Sequence, residues 1–163
     1  MSGWEVLDAI PGPFVDHTGN ANDLSRFADH SFAAVYASHV LEHFDYRDEL
    51  VSTLKEWRRV LEPGGSLYVS VPDMDVLADL FLLRDRLSAD ERFHVMRMMF
   101  GGHVDRHDYH LVGLNEEFLI QFLNTAGFTD VEHVTDLGFF DDTSRLQFRG
   151  MPISLNMIAI SPR

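Results

Sequence analysis

The run LVSTLKEWRRVLEPGGSLYVSVPD, residues 50–73, limits what this chain can fold into more than any other stretch. Leu50, Leu54, Trp57 and Leu61 recur at steps of 4, 3 and 4, with Asp48, Lys55 and Arg58 between them, so one face of a helix is apolar. Pro63-Gly64-Gly65 ends that helix, and Ser66 to Val71 follows at once as a β-rich run. A helix that feeds directly into an apolar strand is the repeating unit of an α/β sheet.

The rest of the chain keeps this alternation, which predicts one α/β domain over 1–163 with a largely parallel sheet. Trp4 to Leu7 and Phe14 to His17 read as strands on either side of Pro11-Gly12-Pro13. Ala33 to Ala37 reads as a third, entered through Ala28-Asp29-His30-Ser31. Residues 74–100 read as two helical pieces split near Ser88-Ala89-Asp90, and about 74–112 as a helical insertion forming a lid. Asn115 is a helix cap and Gly127 a stop; Phe128 to Val134 and Ile153 to Ile160 are the last strands. Residues 135–152 are expected to be a loop with Phe139 and Phe140 turned inward.

Charge and residue usage narrow the chemistry. Thirteen basic against 26 acidic residues give a net charge of -13, which repels phosphate backbones and anionic lipid, so neither nucleic acid nor membrane is expected as partner. Without cysteine there is no disulfide, thiolate metal site or thiol nucleophile. The start MSGWEVLDA lacks the basic and apolar regions of an export signal, so a soluble cytoplasmic protein is expected.

Taken in order, VLDA, GNANDL, FAAVYASHVLEH, LKEWRRVLEPGGSLYVSVPD and NEEFLIQFLNTAGF resemble the class I S-adenosylmethionine-dependent methyltransferases, from about Gly3 to Val134. The resemblance implies a Rossmann-like three-layer sandwich that transfers a methyl group to a small-molecule or saccharide hydroxyl or amine and releases S-adenosylhomocysteine. By the same resemblance Asp8 would accept bonds from the cofactor's ribose hydroxyls, Ala9 and Ile10 would flank the adenine, and Ser38 and His39 would lie near the methyl donor. Asn20 and Ala21 fall where the family has an aspartate that receives the adenine amino group; an amide there keeps an acceptor but loses the charge assistance.

The chain departs from the family at its beginning. It contains no Gly-x-Gly turn, and it starts where the family's second strand should. The absent first strand would lie between those beginning at Trp4 and Ala33, so two strand edges are expected to be uncovered. A fragment of a longer enzyme, a natural truncation serving as a non-catalytic binding subunit, and a sheet completed by a partner chain or a second copy all remain open.

Nine histidines add a further choice. His39-Val-Leu-Glu42-His43 has the H-x-x-E-H spacing of a zinc hydrolase helix, and a residue of GGHVDRHDYH would complete that site. Against this, strand-like FAAVYA runs straight into the motif and a new helix starts only near Tyr46, so the stretch is read as the strand-to-helix edge of a cofactor site and no metal is expected. In that setting His39, His107 and His110 are the candidate bases for the acceptor proton, with Asp105 or Asp108 orienting one of them. The plainer alternative makes His43 and His110 partly buried histidines satisfied by backbone groups. Arg58 and Arg59 read as a solvated face, Trp57 as core, and Met96, Met98, Met99, Phe93 and Phe100 as an apolar helix face.

Overall fold

A computed structural model describes residues 3–104 and 106–163. Its main sheet has four strands in the order β3 (Phe32–Ser38), β4 (Leu61–Pro72), β8 (Ser154–Ile160), β5 (Thr129–Val134); β3 and β4 are parallel, and β8 runs antiparallel to both neighbours. The short strands β1 (Leu7–Asp8) and β2 (His17–Thr18) pair in parallel with each other, apart from this sheet. A small hairpin, β6 (Gln147–Phe148) with β7 (Met151–Pro152), completes the strands.

Helix α1 (Glu49–Val60) forms as its apolar spacing predicts: Leu50, Leu54, Trp57 and Val60 are all buried. They meet Leu67, Val69 and Val71 of β4, Leu155, Met157 and Ala159 of β8, and Leu119 and Leu123 of α4 (Glu116–Ala126) in one core. At roughly 1.5–3 kcal/mol for each large side chain taken out of water, this cluster dominates the stability of the molecule. The opposite face of the sheet carries Tyr36 and Tyr68, whose rings meet Phe139 and Phe140 edge-on. The inward turn of the loop aromatics is therefore observed.

Helices α2 (Met74–Leu82) and α3 (Ala89–Phe100) bury Leu77, Leu80, Leu87 and Val95 with Ile153 in a second, smaller cluster. Ser88 caps α3 in a reciprocal capping box with Glu91, and Asn115 caps α4, which ends on Gly127 in the left-handed conformation. Phe93 and Phe100 stay exposed, so only part of the apolar face of α3 is core.

Several local expectations are corrected. Leu61 opens β4 instead of closing the helix, and the strand runs through Pro63-Gly64-Gly65 with a register shift against β3. Trp4 to Val6 and Phe14 to Asp16 lie outside strands, with Phe14 86 % exposed. Arg58 and Arg59 are anchors, not a solvated face: Arg58 donates to the Ala126 carbonyl, and Arg59 to Asp29, Glu56 and the carbonyls of Leu24 and Phe27.

The two uncovered edges do not pair with each other. β3 is an edge strand of the main sheet, and a cavity of about 410 Å³ separates it from the β1 side, lined by Trp4, Leu7, Leu24, Phe32, Val35 and Trp57 among others. Trp4 meets Tyr36, Phe139 and Phe140 edge-on at 5.4–6.2 Å, and Trp57 donates to the Ala21 carbonyl at 2.7 Å. Residues 3–31 share no ladder with the main sheet; ring contacts of Trp4 and bonds to α1, including the His30 and Ser31 amides on the Arg59 and Val60 carbonyls, hold them in place.

Candidate functional site

β1 and β3 both deliver chain to a second cavity, of about 500 Å³. Such a crevice beyond the carboxyl ends of parallel strands is where open α/β sheets receive ligands. Asp8 ends β1, and its Oδ1 accepts the amide of Ile10 at 2.7 Å, while its carbonyl accepts the amide of Gly19. The turn after β2 brings in Asn20 and Ala21 beside Asn22, whose amide donates to Glu49 of α1 at 2.9 Å.

The far wall begins where β3 ends. His39 has φ 54°, the left-handed region that a non-glycine residue rarely adopts, and its amide donates to the Ser70 carbonyl at 2.9 Å. That turn sends the chain from β3 into a single 3-10 turn, Leu41–His43, instead of a long helix. The H-x-x-E-H spacing thus spans a strand end and a tight turn.

Residues 101–111 fold against this turn. A Cβ on Gly101 would come within 2.2 Å of the Asp108 carbonyl oxygen, so only glycine permits the loop to close. Asp108 accepts the amide of Val104, and His103 stacks on Tyr109. The amide of Leu111 donates to the Glu42 carbonyl at 2.7 Å, which brings His110 beside Glu42. Arg106, His107 and Tyr109 face the cavity; Arg106 Nε donates to His107 Nε2 at 2.9 Å. Asp105, one of the proposed orienting acids, lies outside the described residues.

Of the residues predicted from sequence, the fold gathers Asp8, Ala9, Asn20, Ala21, His39 and His107 around one cavity. Ile10, Ser38 and His110 are not among its lining residues: Ile10 is exposed, Ser38 Oγ is 2.7 Å from Thr143 Oγ1, and His110 stands behind His43 with ring centroids 5.0 Å apart. The backbone-satisfied reading of two histidines holds, since His43 Nδ1 bonds the Tyr109 carbonyl at 3.0 Å and His110 Nδ1 the Met99 carbonyl at 3.3 Å.

The residue that sequence reading passed over is Glu42. It is 1 % exposed, and neither carboxyl oxygen has a hydrogen-bond partner among the described residues. Burial pushes its carboxyl up to about 8, and burial, followed by the neighbouring His110, holds His39 down to about 4. Burial also lowers His110. The H-x-x-E-H spacing is the signal in the sequence for Glu42, which sits in a 3-10 turn and not in the long helix of a zinc motif.

Residues 9–69 match the family described as Methyltransferase domain. No curated protein matches the sequence. Among solved structures, a SAM-dependent methyltransferase from Archaeoglobus fulgidus superposes with a TM-score of 0.58 at 17% identity, covering 94% of this chain and 74% of that one. A "possible exported protein" from Bordetella parapertussis gives 0.58 at 14% identity, over 90% of this chain and 44% of that one. A Haloferax volcanii methyltransferase complexed with a methyltransferase activator gives 0.52 at 14% identity, over 94% and 64%. The chain thus spans less than two thirds of the last two. The resemblance to class I methyltransferases is borne out in the family match and in the Rossmann-like α/β fold. Among the described residues no helix is long and apolar enough to cross a membrane.

Proposed function

We propose that this chain carries the S-adenosylmethionine site of a methyltransferase whose acceptor is a small-molecule or saccharide hydroxyl or amine. The observation that carries the proposal is the 500 Å³ cavity with Asp8, Ala9, Asn20 and Ala21 on one wall and His39 and His107 on the other. Asp8 presents a carboxylate to a ribose diol, and the Asn20 side chain offers an acceptor to an adenine amino group. Ile10 would close over the adenine edge, and Ser38 would act through the position of the β3 end.

Methyl transfer breaks the sulfonium–methyl bond as the acceptor lone pair forms the new one, and the acceptor's proton must leave. The site contributes mainly by holding donor and acceptor in line. His39 and His107 border the space an acceptor would fill and are the proposed proton acceptors, His107 only once its Nε2 is released by Arg106, with His110 behind them. Burial keeps His39 neutral at pH 7, so its ring has a free lone pair, though its low basicity suits an already acidified acceptor.

The open edge of β3 supports a second reading: a subunit whose sheet is completed by an extended segment of a partner chain or a second copy. The apolar cavity beside Val35 and Trp57 is where that segment would lie. Titration calorimetry with S-adenosylhomocysteine separates the two. Micromolar binding lost in Asp8→Ala supports the enzyme; no binding at millimolar ligand by folded protein overturns it for this chain alone and favours the partner-completed sheet.

A further inference from the structure

Glu42 and His110 meet His39 and His43 at the cavity wall, and hydrogen bonds fix the tautomer of each neutral imidazole. The Tyr109 carbonyl can only accept, so His43 Nδ1 carries a proton, and in the neutral ring the lone pair is on Nε2. The Met99 carbonyl, one of the last carbonyls of α3, does the same for His110. Ser154 Oγ gives its single proton to the Thr143 carbonyl at 2.8 Å and therefore accepts from His39 Nε2 at 3.0 Å, which leaves the lone pair on His39 Nδ1.

The lone pairs of His39 and His110 lie nearest Glu42. Its Oε1 is 3.7 Å from His39 Nδ1 and 4.0 Å from His110 Nε2, both beyond hydrogen-bonding distance. Glu42, His43 and His110 each place one ligand atom within 4.8 Å of the others. Apart from the proton that burial keeps on Glu42, the groups that face one another here are acceptors, and neither carboxyl oxygen has a hydrogen-bond partner among the described residues. Such an arrangement is costly when empty and is relieved by a cation.

We infer that Glu42, His43 and His110 bind one divalent transition-metal cation, with His39 beside it at the cavity. The donor set of imidazole nitrogens and one carboxylate suits zinc, cobalt or manganese better than calcium or magnesium. Ligand atoms about 3.4 Å apart surround a tetrahedral ion with bonds of about 2.0–2.1 Å, so separations of up to 4.8 Å need to contract by at most about 1.4 Å. Each imidazole already has its outer nitrogen tied to a carbonyl or hydroxyl oxygen, the support that orients metal-bound histidines.

His43 and His39 also line the cavity, so a coordination position opens toward it. A hydroxyl placed there would be acidified by the cation and would give its proton to a weak base. This role, unlike the binding itself, rests on the methyltransferase reading.

The test is titration of the chelator-treated chain with Co²⁺, followed by visible absorption and then by displacement with Zn²⁺. We expect saturation at one equivalent, ligand-field bands that vanish on Zn²⁺ addition, and a weakening of about 100-fold or more in Glu42→Gln and in His110→Ala. Circular dichroism and thermal unfolding check that each variant is folded, and His43→Gln replaces any that is not. Absence of saturable binding, or binding unchanged in folded variants, overturns the site. Calorimetry with S-adenosylhomocysteine on the same metal-free protein reports separately on the cofactor reading.

Discussion

At the scale of single residues, Glu42 makes stability depend on pH. In the metal-free chain its carboxyl, raised from 4.5 to about 8, holds a proton that the unfolded chain releases, so its contribution is full below pH 4.5 and is lost as pH rises toward 8. His39, lowered from 6.5 to about 4, works in the opposite sense, losing stability as pH falls from 6.5 to 4. The two oppose each other below pH 6.5, and above it Glu42 acts alone. His110 is lowered and so titrates on the His39 side, while Asp142 partly offsets the shift of His39. At 1.36 kcal/mol per pKa unit, urea unfolding should show a loss on the order of 2 kcal/mol between pH 6.5 and 8, absent in Glu42→Gln. A flat profile for the native sequence would remove Glu42 from this role.

At the scale of elements, α3 illustrates how local chemistry sets a boundary. Ser88 accepts the amide of Glu91 and Glu91 accepts that of Ser88, while Arg149 pairs with the same glutamate. Ser88→Ala should destabilise the protein by about 1 kcal/mol, lowering the urea midpoint with no change in slope; an unchanged midpoint would mean that Glu91, through the residue-88 amide and Arg149, suffices to hold the start of α3. Caps and periodicity of this kind are local, which is why α1, α4 and the split at Ser88 were legible in the sequence. The ends of β1, β2 and β4 were not, because strand boundaries depend on which neighbour supplies hydrogen bonds. Leu61 could extend a helical stripe or open a strand, and its pairing with Phe32 decides the matter. The same holds at the site. The resemblance points to Asp8, Asn20 and His39, which line one cavity, whereas the isolation of Glu42 arises only when residues 101–111 fold over the turn at Leu41–His43.

For the molecule as a whole, the separation of β1 and β2 from the main sheet divides stability unevenly. Residues 3–31 share no strand ladder with β3, and Phe14 at their tip is 86 % exposed. Thermolysin under native conditions should cut first in this stretch, with the four-stranded sheet resisting longer; first cuts in β4 or β8 would contradict this. The ligand cavity draws one wall from this segment, which shares no ladder with the main sheet, and the other from the turn after β3 and residues 106–111. A ligand that touches both walls can occupy only the docked fraction of the population, so its apparent Kd is its intrinsic Kd divided by that fraction. Any contact that fastens Trp4 more firmly against Tyr36 and Phe140 would therefore tighten binding without touching the ligand, and a tightly bound ligand would in turn act as the clasp that closes the chain.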